Sequence, residues 1–102
     1  IIALPPFRAR LQPDGSLAGR VMHVDHFGNL VTDVRAEQLL PPPLLVEICG
    51  RRIDGLSLTY GRDEGLLALI GSSGYLEIAT RNGSAAHDLA AGIGDPITVQ
   101  RA

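Results

Sequence analysis

The chain has 102 residues, a length that fits one domain. Nine basic residues, all arginine, stand against eleven acidic ones, and a net charge of −2 provides no field for steering toward nucleic acid. A composition that is 45% hydrophobic and 20% charged is that of a globular domain, and the run Leu66 to Ile70 is far short of the roughly 20 apolar residues of a membrane span.

A single cysteine excludes an internal disulfide and suits a reducing, cytoplasmic compartment. The chain starts at Ile1, which reads as a piece processed or excised from something longer. Pro5-Pro6 interrupts Ile1-Ile2-Ala3-Leu4 at once, so no signal peptide is expected. Residues 1–18, with Pro13 and the Asp14-Gly15 turn pair, read as an interdomain linker remnant, and 19–102 as the domain proper.

From Gly19 onward short apolar runs recur at roughly ten-residue spacing, bounded by Gly, Asp, Asn or Pro. Strands are predicted over Arg20 to Asp25, Leu30 to Val34, Leu45 to Cys49, Leu56 to Tyr60, Leu66 to Ile70, Tyr75 to Ala79 and Ile97 to Gln100. Period-two alternation puts Val46 with Ile48, Leu56 with Leu58 and Tyr60, Leu76 with Ile78, and Ile97 with Val99 on shared faces. About seven short strands with one or two short helices predict an all-β fold, a small β-barrel. The helices are Arg35 to Leu40, stopped by Pro41-Pro42-Pro43, and Ser84 to Ala91, with Ser84 as N-cap and Gly92 and Gly94 closing it. Cys49-Gly50-Arg51 reads as a tight reversal, with Cys49 a small buried residue. Asp33 and Glu77 fall on strands and could face water.

Three segments are richer in small, polar and aromatic residues than a barrel requires. Asp25-His26-Phe27-Gly28-Asn29 reads either as an Asx-type turn or as a loop presenting a carboxylate, an aromatic face and a carboxamide to an ammonium-bearing heteroaromatic ligand. Gly71-Ser72-Ser73-Gly74 reads either as a hairpin turn or as amides and hydroxyls that cradle an anion. Arg81-Asn82-Gly83-Ser84 reads as a turn into a capped helix whose N-terminus could face an anion. His23, His26 and His87 show no metal-ligand spacing, and no dinucleotide or phosphate-loop fingerprint is present.

Together, the stretch from Gly19 to Val34, Leu58-Thr59-Tyr60, the stretch from Ile70 to Ala79 and Asn82-Gly83-Ser84-Ala85-Ala86 resemble one family. It is the C-terminal domain of the S-adenosylmethionine hydroxide adenosyltransferases (SAM hydrolases), relatives of the fluorinase and chlorinase. The resemblance implies a homotrimer in which a larger N-terminal domain, absent from this chain, activates water. The ligand would lie between that domain of one subunit and the barrel of its neighbour. It also implies S-adenosylmethionine as substrate with no cofactor, and partners limited to that molecule and the neighbouring subunit, with no nucleic acid and no membrane.

Residue by residue, the resemblance implies that Asp25 binds the methionine ammonium. Phe27 and Tyr60 would bracket the adenine and Asn29 would read its edge. Ser72 and Ser73 would hold the methionine carboxylate with no full positive charge nearby, and Thr80 and Asn82 would offer backbone groups to the adenine. Asp33 stands where Asn is usual and is expected outside the pocket. No catalytic residue is expected in this chain, which alone would be silent. The single residue between Asp25 and Phe27, and Ser73 where halide-using relatives tend to carry Arg, favour water over halide. A non-catalytic interaction or trimer-forming barrel is the alternative of a different class.

Overall fold

Alternating apolar residues become strands along most of the chain. The computed structural model describes residues 8–39, 44–55, 65–80 and 83–101. Among these run β1 (Arg10–Leu11), β2 (Leu17–Val24), β3 (Leu30–Arg35), β4 (Leu44–Ile48), β5 (Arg51–Asp54), β6 (Leu66–Ile70), β7 (Tyr75–Thr80) and β8 (Pro96–Arg101). A 3-10 turn, Ala36–Gln38, follows β3, and a short helix, α1 (Ala85–Leu89), precedes β8. The predicted strand over Leu56 to Tyr60 lies outside the described residues.

The hydrogen-bonded order is β5-β4-β8-β2-β3-β7-β6, with β1 added on β2 and every pair antiparallel. β5 and β6 approach across the remaining gap, so the sheet nearly closes into the expected small barrel. β2 joins the two halves: Leu17 to Arg20 pair with β8, and Val21 to Val24 pair with β3. Val21, Leu30, Val34, Val46, Ile48, Leu76, Ile78, Ile97 and Val99, all at most 1% exposed, fill the interior. Fully burying each such side chain contributes about 1.5–3 kcal/mol.

Two breaks in the ladders are closed by side chains. Where the β3–β7 register shifts between Val31 and Arg35, the buried Thr32 hydroxyl donates to Leu76 O at 2.8 Å and accepts from Val34 N at 3.2 Å. Near the point where β2 passes from β3 to β8, Asp33 Oδ1 accepts from Arg20 N at 2.8 Å. Gly19 is required beside it, because a Cβ there would come 2.5 Å from that oxygen.

Several expectations are corrected. Asp33 does not face water: it is 4% exposed, held inside by its bond to the Arg20 amide. Glu77 is half-buried rather than solvated. Cys49 is exposed, because it is the first turn residue of a two-residue hairpin between β4 and β5 rather than the end of a strand. Cys49 and Gly50 both have positive φ, 49° and 76°, as a type I′ turn demands. β1 is not among the predicted strands, and β5 is implied only as the strand beyond the Cys49-Gly50-Arg51 reversal. β5 buries only Ile53 of its four residues, and β1 is two exposed residues long, so neither leaves an apolar run to read.

Helix is as scarce as the sequence implies. Over Arg35 to Leu40 there is a single 3-10 turn, with Leu39 already extended and Leu40 outside the described residues. Ser84 caps α1 as predicted, its Oγ accepting from His87 N at 3.1 Å. The helix is closed by Ala90 itself, at φ 51°, and not by the glycines; Gly92 N instead donates to Asp95 Oδ2 at 2.8 Å.

Candidate functional site

Two hairpin loops of the same build lie at opposite ends of the β3–β7 ladder. In the β2–β3 loop Gly28 N donates to Asp25 O and Asp25 N to Asn29 O, both at 3.0 Å. In the β6–β7 loop Gly74 N donates to Gly71 O and Gly71 N to Tyr75 O, again at 3.0 Å. Each is a turn closed by a glycine at positive φ, 83° for Gly28 and 89° for Gly74, the residue this hairpin requires at its bulge.

The first loop realises its turn reading through Asp25. Oδ1 accepts from Phe27 N and Asn29 N, each at 2.9 Å, and Oδ2 from Asn29 Nδ2 at 3.2 Å. Oδ2 retains acceptor capacity, and the Asn29 carboxamide keeps one N–H and its oxygen. With the turn pinned in this way, Phe27 is left 73% exposed, its ring edge-on to His26 at 5.4 Å between centroids. The loop is docked from below by α1: Ala86 N donates to Gly28 O at 2.9 Å.

Strand register sets which side chains lie between the loops. Tyr75 and Glu77, both half-buried, share one face of β7. Across the sheet His23 pairs with Val31, Val31 with Glu77, and Glu77 with Leu69, while Arg35 pairs with Tyr75. The Glu77 carboxyl lies directly against Gly71, in space that a Cβ would fill. Burial pushes its pKa above the usual carboxylate value, and the charge of Asp25 adds to the push. Glu77 therefore stands between the Asp25 loop and the Gly71–Gly74 turn.

Ser72 and Ser73 are exposed at the tip of that turn. The expectation of no cation near them is corrected. Arg35 lines a cavity of about 230 Å³ together with Ser73, Gly74, Tyr75 and Glu37. Thr80 is 7% exposed and its hydroxyl finds no hydrogen-bond partner among the described residues. Tyr60 and Asn82 lie outside the described residues. Asp25, Phe27 and Asn29 thus lie in the loop at one end of the β3–β7 ladder and Ser72 and Ser73 in the turn at its other end, with Glu77 near both. Structure adds Glu77 and Arg35, which single-strand alternation cannot connect to loops on other strands. Asp33 instead lines cavities of about 410 and 460 Å³ that it shares with Arg8.

Residues 19–98 match the family model of the SAM hydroxide adenosyltransferase C-terminal domain. No curated protein matches the chain. The fold is similar to the crystal structure of an uncharacterized conserved protein from Thermotoga maritima, with a TM-score of 0.76 and 26% identity over 98% of this chain and 41% of that one. It is similar also to a conserved hypothetical protein from Thermus thermophilus, with a TM-score of 0.73 and 33% identity over 96% of this chain and 37% of that one. The chain therefore spans about two fifths of the length of these structures.

Proposed function

The chain belongs to the family of SAM hydroxide adenosyltransferase C-terminal domains, and on that premise we infer that it is the substrate-holding part of an enzyme converting S-adenosylmethionine and water to adenosine and methionine. One observation carries the reading. Glu77 on β7 links the two loops, its carboxyl lying against Gly71 and feeling the charge of Asp25. On this reading Ser72 and Ser73 take the carboxylate, Asp25 and Glu77 the cationic groups, and Asn29 and Phe27 the purine.

The chemistry asked of these groups is binding and orientation. An ammonium on Asp25 makes a charge-assisted bond worth about 1.5–3 kcal/mol. The Asn29 amide offers a donor and an acceptor to an adenine edge, which presents the converse pair. A ring stacked on Phe27 contributes about 1–3 kcal/mol. Held at both ends, the ribose 5′ carbon is aimed at a water bound by the rest of the enzyme. The water oxygen bonds to that carbon, and the carbon–sulfur pair leaves with sulfur, neutralising the sulfonium. The water proton passes to solvent or to a base outside this chain. The enzyme functions as a homotrimer whose site closes between neighbouring subunits, in the cytoplasm.

Activity of the full-length protein tests this. Adenosine and methionine should appear in equal amounts from S-adenosylmethionine. Phe27→Ala should raise the KM about 10–100-fold, the equivalent of the lost stacking. A halogenated adenosine formed in chloride or fluoride would replace water by halide, and no turnover with either would overturn the reading.

A further inference from the structure

We propose that Arg35 holds the carboxylate of the bound amino-acid tail, reaching from β3 to the turn that carries Ser73. The proposal rests on the ligand placement just described and adds a residue that determines specificity. Arg35 ends β3 directly opposite Tyr75, and its guanidinium carbon lies 5.9 Å from the centre of the Tyr75 ring. That ring face holds the side chain on the side of the sheet that also carries Glu77. The backbone is fixed on both sides of the arginine: Arg35 N donates to Gln38 Oε1 at 2.9 Å, and Ala36 N to Gly74 O at 2.9 Å. The second bond ties the end of β3 to the turn itself. Between them lies the cavity of about 230 Å³ lined by Arg35, Ser73, Gly74, Tyr75 and Glu37.

A planar guanidinium matches a carboxylate with two parallel N–H bonds, and the Ser73 hydroxyl supplies a third donor. Glu37 shares the cavity, but the described ion pairs are Arg52 with Glu47 and His87 with Asp88, so Arg35 is not committed to it. The charge order along the face completes the argument. Positive Arg35 stands at the Ser73 end with Glu37 also lining the cavity, and negative Glu77 and Asp25 follow. Because the ammonium and carboxylate share one carbon, a carboxylate held by Arg35 and Ser73 turns the ammonium toward the acidic side of the face. Arg35 therefore selects a ligand with a free carboxylate and sets its direction.

The test compares S-adenosylmethionine with its decarboxylated form, which keeps the adenosine, sulfonium and ammonium. Both are assayed with the full-length protein and with its Arg35→Gln and Arg35→Lys variants. Arg35→Gln should raise the KM for S-adenosylmethionine about 10–100-fold and leave the decarboxylated compound unchanged, with Arg35→Lys recovering part of the loss. Equal losses on both compounds, or no loss on either while the wild-type protein prefers the carboxylate, would overturn the role of Arg35 alone. A wild-type protein that binds neither compound would overturn the ligand placement and this assignment together.

Discussion

Gly28 and Ser84 are in contact so close that any side chain at position 28 would occupy the space of the Ser84 hydroxymethyl group. The contact locks the loop bearing Phe27 onto the start of α1, next to the bond from Ala86 N to Gly28 O. Gly28 meets a second demand as well, a φ of 83°.

Gly28→Ala should therefore lower stability on two counts. The left-handed backbone costs about 1–2 kcal/mol, and overpacking against Ser84 adds about 1–3 kcal/mol. Thermal or urea unfolding of the variant measures the sum. A loss below about 1 kcal/mol would show that the loop moves off the helix freely.

Cys49 makes the opposite case, a residue whose replacement should help. It sits at φ 49° in the β4–β5 turn, a conformation that asparagine tolerates far better. Cys49→Asn should stabilise the chain by about 0.5–1 kcal/mol, seen as a higher urea midpoint at unchanged slope. Partial burial also pushes the thiol pKa up, with Asp95 adding to it. Although exposed, Cys49 should react with iodoacetamide at neutral pH more slowly than a free cysteine.

Glu77 sets a pH dependence whose sign follows from its raised carboxyl pKa. In the folded chain burial, then Asp25, hold it above the ordinary value of 4.5. Its contribution to stability is complete below 4.5 and is lost as pH rises through the folded-state value. Glu77→Gln should thus melt slightly higher than wild type at neutral pH, with the advantage shrinking as the solution is acidified toward 4.5. A variant less stable than wild type at neutral pH would mean that ionised Glu77 has a stabilising partner.

The sequence alone carried the barrel and the two loops, because both are local properties. Alternation marked the strands whose inward residues, such as Val46 with Ile48 and Leu76 with Ile78, proved buried. Gly at the bulge position of each turn, and Asp25 able to bond Phe27 and Asn29, are features of a few consecutive residues. Tertiary structure decided the rest. Asp33 turned inward where the strands part, Cys49 turned out at a turn, Arg35 came beside the distant Ser73 turn, and Glu77 came near the distant Asp25 loop. Each depends on register between strands, and bulges near Val21 and Val31 shift that register in ways that one strand's own pattern does not record.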